Sequence, residues 1–307
     1  MVSLPKQIRS RVARAPAALS RYRRHKQLRR ARYPWNSIPH ELRWAVSDPP
    51  AIARLTERRL QLAPHHWVFI AGCHNSGTTL VRDVLASHPS VRGLPREGQT
   101  LAKKAFPRPK DYGVERAFAK RLDVFHWTED HDGAPALRAK YDWARYFERR
   151  PGNLLVKHPL DAVRTRWLQR HFVPSRFIVM VRSPYPVAEG TRRRTGHSIE
   201  DAAEQWTRVN ECLLSDMLHL KDHLMLRYED FCATPEEHLR RLEAFLELDS
   251  PFGAEALAPR KVHSIDNQVS RIQNQNAKSI ERLSHSDIEA IGAIAGRVME
   301  RLGYERL

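Results

Sequence analysis

The chain has 307 residues and a net charge of +17, with 41% hydrophobic and 28% charged side chains. That length is enough for one large α/β domain or two small ones, and the composition excludes wholesale disorder. The charge is uneven: residues 1–32 hold eleven basic side chains and no acid, while the rest carries 41 basic and 35 acidic ones, so the pI of 10.3 is no argument for nucleic-acid binding.

Residues 1–33 read as a basic arm. The arm is Arg-rich and acid-free like a mitochondrial transit peptide, but the favoured reading is the flexible arm of a bacterial protein. Its aromatic residues are sparse (Tyr22, Tyr33, Trp35), so contact with an anionic membrane surface through residues 1–32 is expected rather than nucleic acid. Residues 34–64 form a proline-punctuated lead-in around a helical stretch at 51–61. A β-rich run at 66–71 (HWVFIA) stops at Gly72, and a helical period follows over 77–87. Residues 95–150 are the least regular, and 98–150 is expected to be a variable, acceptor-side segment. The alternation then resumes. Strands are expected at 153–157, 176–181 and 223–227, with helices at 161–172, 184–194, 199–220, 235–246 and 286–302. Short apolar strands separated by helices imply a parallel sheet covered on both faces, here over residues 65–307. Cys73, Cys212 and Cys232 have no paired spacing, which disfavours a disulfide framework and a zinc ribbon and fits a reducing cytosol. No run approaches the ~18 apolar residues of a membrane helix. A cytoplasmic protein, peripheral at most to a membrane, is expected.

The string Gly72-Cys73-His74-Asn75-Ser76-Gly77-Thr78-Thr79 lies between a strand and a helix. Its G-x4-G spacing followed by Thr-Thr is P-loop-like, but Thr78 stands where a nucleotide-hydrolysing loop has Lys. Backbone N–H groups at such a junction cradle an anion; the plainer alternative is an ordinary helix start capped by Ser76. Arg182 follows a strand, where it faces the crevice used by ligands of open sheets. Arg194, twelve residues on, belongs either to the same site or to a solvated basic face. Lys157-His158-Pro159 closes another strand. Glu97 is the only acid between Asp83 and Asp111, a candidate general base or an ion-pair partner.

These blocks together (VFIAGCHNSGTTLVRDVLASHPSV at 68–91, Lys157-His158-Pro159, RFIVMVRSPYPVAEG at 176–190, HLMLRYEDFCATPEEHLRRLEAFLEL at 223–248 and Leu302-Gly303-Tyr304) resemble sulfotransferases that use 3′-phosphoadenosine 5′-phosphosulfate. The likeness covers residues 65–307 and is nearest to the bacterial, tyrosylprotein and glycan branch. It implies that Asn75, Ser76, Gly77, Thr78 and Thr79 meet the donor's 5′-phosphosulfate. Arg182, position 190 and Arg194 would hold its 3′-phosphate, and Tyr228 would line the nucleotide. Glu97 would be the base and Lys157 the transition-state stabiliser. Two positions depart from the pattern. Asn75 stands where a Lys or Arg precedes Ser-Gly-Thr-Thr, and Gly190 stands where a Ser donates a hydroxyl. His74, Lys157 or His158 would supply the missing cation, and Thr191 or a backbone N–H the missing hydroxyl.

Sulfuryl transfer needs no metal in principle, and none of the sixteen histidines falls in a metal motif. The acceptor is expected to be a carbohydrate or glycolipid hydroxyl first, a protein tyrosine second. Trp127, Trp143, Tyr141 and Tyr146 are either stacking platforms for sugar or core. The alternatives are a P-loop kinase or NTPase with a degenerate loop, and a non-catalytic nucleotide binder.

Overall fold

The computed structural model describes residues 37–262 and 268–307, so the expected basic arm lies outside the described residues. The chain divides into two units, 1–55 and 56–307. The described part of the first holds α1 (Ser37–Val46) and the start of α2 (Pro49–Leu60), which two prolines open at positions that need no helical N–H.

The second unit is built on a parallel sheet of β1 (Trp67–Ala71), β2 (Val91–Gly93), β3 (Asn153–Lys157), β4 (Ser175–Val181) and β5 (His223–Arg227), ordered β2-β3-β1-β4-β5. Its register is fixed by pairs such as Ile70 with Lys157, Phe69 with Phe177 and Val181 with Arg227. β1 and β3 are buried at every position, which is why they read as continuous apolar runs rather than alternating ones. Helices cover both faces. Val68, Ile70, Ile178 and Met180 pack with Val81, Val84 and Leu85 of α3 (Thr78–Leu85) and with Leu239 and Leu242. On the opposite face Trp67 and Phe69 meet Phe172 edge-on at 5.0 and 5.3 Å. Val179 and Val181 there pack with Val187, Trp206 and Val298, carried by α6 (Pro184–Thr195), α7 (Ile199–Met217) and a terminal helix, His285–Arg301.

Three sequence expectations change. The single helix expected over 161–172 is a 3-10 turn, Pro159–Val163, followed by α5 (Thr165–His171). Arg164, at φ −147° and ψ 26° neither helical nor extended, separates the two, and its guanidinium turns inward to bond Asp161 at 3.0 Å. β2 spans three residues, too short to show a period. The irregular segment contains α4 (Ala134–Ala144), whose Tyr141 and Trp143, with the nearby Tyr146, are buried. Trp143 donates to the Gly98 carbonyl at 2.8 Å, so these rings are core and not sugar platforms. Trp127 is half-buried and edge-on to Trp167 at 5.0 Å.

From β1 the chain moves to β2 and β3 on one side, then crosses to β4 and β5 on the other. The carboxyl ends of β1, β3 and β4 therefore border the crevice at a topological switch point, where open α/β sheets bind ligands.

Candidate active site

At that crevice lies a cavity of about 560 Å³. Of the twelve residues expected at the site, nine line it: Asn75, Gly77, Thr78 and Thr79 from the first loop, Glu97 at the start of the helical turn Gly98–Leu101, Lys157 and Arg182 at strand ends, and Arg194 and Tyr228. Ser76, Gly190 and His158 sit behind the wall and are not among the lining residues.

The 72–79 loop turns on two left-handed residues, Asn75 (φ 65°) and Gly77 (φ 89°). Only glycine suits position 77, because a Cβ there would lie 2.7 Å from the Tyr228 ring. Gly77 takes the N-cap position of α3, and no side chain caps that helix. Ser76 is not the cap: its buried Oγ has no partner among the described residues. The amino end of α3, with its partial positive charge, thus opens on the cavity.

Two arginines converge on Asn75. Arg182 Nη1 donates to the Asn75 carbonyl at 2.8 Å, and Arg194 Nη1 donates to Asn75 Oδ1 at 2.7 Å. Asn75 Nδ2 donates to Thr191 Oγ1 at 3.1 Å. Thr191 is thus engaged by Asn75, and its own hydroxyl proton goes to the Val187 carbonyl at 2.9 Å. A Cβ on Gly190 would lie 3.3 Å from Asn75 Nδ2, so the two departures from the family pattern touch each other. The Arg182 guanidinium lies 4.0 Å above the Tyr228 ring, and its Nε donates to Asn276 at 2.9 Å. Burial pushes the Tyr228 hydroxyl up to about 12, so it stays protonated; it donates to the Gln273 carbonyl and accepts from the Gln275 N–H, each at 3.2 Å.

On the other side of the cavity Lys157 Nζ meets Glu97 Oε1 at 2.6 Å. His158 Nε2 lies 3.7 Å from Glu97 Oε2. His158 Nδ1 accepts from the Leu160 N–H at 3.2 Å, which leaves the ring proton on Nε2 facing the carboxylate. Burial, with Arg164 and Lys157 nearby, holds His158 well below the ordinary histidine range. His74 is also held neutral, at about 3, by burial and by Arg116, Lys157 and Arg194. Neither histidine therefore supplies the cation missing at Asn75; of the three groups expected to do so, Lys157 alone remains. Glu97 itself caps the short helical turn Gly98–Leu101. That turn is pinned by Gln99, which accepts from Arg164 at 3.2 Å and donates to the Pro107 carbonyl at 2.7 Å.

Sequence reasoning missed Arg116, Arg271, Gln273 and Gln275, which also line the cavity. It quoted Glu229 and Tyr304 without a role. Glu229 accepts from Ser183 N at 3.0 Å, Asn276 Nδ2 at 2.7 Å and Tyr304 OH at 2.9 Å, so it ties three segments behind Arg182. The polar run at 273–276 reads locally as any loop, and only tertiary contact makes it a wall.

Comparison with known proteins gives the family. A protein-tyrosine sulfotransferase 1 from Danio rerio is 26% identical over 259 residues, covering 78% of this chain and 72% of its own. An omega-hydroxy-beta-dihydromenaquinone-9 sulfotransferase from Mycobacterium tuberculosis is 24% identical, covering 80% and 67%. Among solved structures, the sulfotransferase domain of the Synechococcus PCC 7002 olefin synthase shares the fold with a TM-score of 0.53 at 22% identity, covering 79% of this chain and 96% of that one. The model of the sulfotransferase family matches residues 68–251. The chain belongs to that family, whose sulfuryl donor is 3′-phosphoadenosine 5′-phosphosulfate, and it is a sulfotransferase.

Proposed function

We propose that this cavity holds the donor with its 5′ end at the amino end of α3 and its 3′-phosphate on Arg182 and Arg194, and passes the sulfuryl group to an acceptor hydroxyl. The observation that carries the reading is the convergence of Arg182 and Arg194 on Asn75, beside a helix start that no side chain caps. Such a surface fits a ligand with two separated anions.

When bound, the donor supplies an electrophilic sulfur: the acceptor oxygen bonds to it while its bond to the phosphate oxygen breaks. Glu97 takes the acceptor proton at Oε2, since Oε1 is engaged by Lys157. Lys157 faces the charge that develops on the leaving oxygen, together with the N–H groups of the loop. His158 orients Glu97 by pointing Nε2 at it. Of the four aromatic residues expected as a stacking platform for a carbohydrate or glycolipid acceptor, Tyr141, Trp143 and Tyr146 are buried and only Trp127 is half-exposed. The relatives named for tyrosine and for a hydroxylated menaquinone put phenol and alcohol acceptors in the panel beside glycans.

The test is donor binding. Adenosine 3′,5′-bisphosphate is expected to raise the melting temperature, and ATP to do so much less. Arg182→Ala is expected to weaken the bisphosphate about ten- to a hundredfold, the span of a charge-assisted bond worth about 1.5–3 kcal/mol. Equal shifts from ATP would refute the reading.

A further inference from the structure

The 72–79 loop has no cation of its own, because His74 is neutral and Asn75 uncharged. One charge beside it is unused by everything above. Arg116 is half-buried, lines the cavity, and makes no ion pair or hydrogen bond through its side chain among the described residues. His74, Arg116 and Arg194 line the same cavity, and the turn that carries Arg116 lies beside the loop, because Phe118 two residues on packs against the His74 ring.

The backbone around Arg116 is built rather than loose. Ala117 N bonds the Val114 carbonyl at 2.9 Å, making a four-residue turn whose third residue is Arg116, at φ 58°. Glycine or asparagine belongs at such a left-handed position. The turn is anchored on both sides. His197 Nε2 is 2.9 Å from the Glu115 carbonyl, Phe118 is buried against the His74 ring with centroids 5.6 Å apart, and Ala119 N donates to Gln205 at 2.8 Å. An unpaired arginine at a strained backbone position, lining one cavity with another arginine, is unfavourable unless a negative group joins them when the site is loaded.

We propose that Arg116 is a donor-binding residue, closing with Arg194 on one phosphate of the nucleotide. Resting on the donor assignment above, it places the missing charge on the 98–150 segment rather than on the loop. Sharing Arg194 makes the 3′-phosphate the expected anion, and the experiment has an arm for each phosphate.

The test compares Arg116→Gly and Arg116→Lys with the parent by calorimetric titration of adenosine 3′,5′-bisphosphate, 3′-AMP and 5′-AMP. Glycine suits the left-handed backbone, so the ligand-free melting temperature is expected to hold or rise, which separates binding from folding. Bisphosphate affinity is expected to fall about tenfold or more in Arg116→Gly and to recover in part in Arg116→Lys. Of the two monophosphates, the one that falls in parallel identifies the phosphate held. Unchanged affinity in Arg116→Gly, beside weakened binding in Arg182→Ala, would overturn the Arg116 assignment alone. A parent that binds no bisphosphate would overturn both readings.

Discussion

Glu97 carries two neighbours that a general base must share with an acceptor hydroxyl, Lys157 at 2.6 Å and His158 at 3.7 Å. Both line the cavity, but the lysine is 5% exposed in its side chain against 38% for the carboxylate, so the acid is the more open of the two. His158 is poorly placed to be the base, since Leu160 occupies its Nδ1. In single-turnover transfer, Glu97→Gln keeps the shape and loses the basicity; we expect the rate to fall about a hundredfold or more with bisphosphate affinity little changed. Lys157→Ala is expected to lower the rate by a similar factor. Near-normal turnover in Glu97→Gln would overturn the assignment. Glu97 and Lys157 were legible in the sequence because each stands beside a structural stop: one follows a His-Pro helix end, the other closes a strand. Arg116 was not, because nothing local marks a left-handed turn that an arginine fills.

The contact between the 72–79 loop and α6 turns two sequence oddities into one element. Asn75 spans Thr191 and Arg194, and Gly190 makes room for its amide. Serine at 190 gains about 0.5 kcal/mol of helix propensity over glycine but crowds the amide at 3.3 Å. Gly190→Ser is therefore expected to be neutral or destabilising alone and stabilising in an Asn75→Ala background. The coupling expected from denaturant unfolding is at least about 0.5 kcal/mol. Additivity within about 0.3 kcal/mol would show that the contact carries no coupling. The elements themselves were readable where one rule governs them: β1, β3 and β4 from unbroken apolar runs, α3 and the terminal helix from a helical period. What was not readable is decided by distant partners. The break at Arg164 depends on a buried ion pair, and the wall at 273–276 depends on Tyr228 and Glu229.

Neutral buried histidines cost the folded molecule stability in acid, against the buried Asp161 carboxyl, which is pushed up to about 6 and acts in the opposite direction. An unfolded histidine takes a proton near pH 6.5, whereas folded His158 is held far lower by burial. Below about pH 6.5 the unfolded chain thus binds a proton that the folded one refuses, and stability is lost as pH falls toward the folded value. Asparagine also accepts the Leu160 N–H without titrating, so His158→Asn should flatten the slope of melting temperature between pH 6.5 and 5. An unchanged slope would place the acid sensitivity elsewhere.

Because β1 is the first strand made yet sits mid-sheet, Trp67 must wait for Leu154 on one side and Ser175 on the other. The cavity waits longer still, for Tyr228 and then Gln275. A ribosome stalled short of that glutamine carries a nascent chain with the phosphate loop already synthesised and no nucleotide pocket to use it. On the proposed donor assignment, capture therefore requires a chain made at least as far as Gln275, and the nucleotide would join segments distant in sequence and so oppose unfolding.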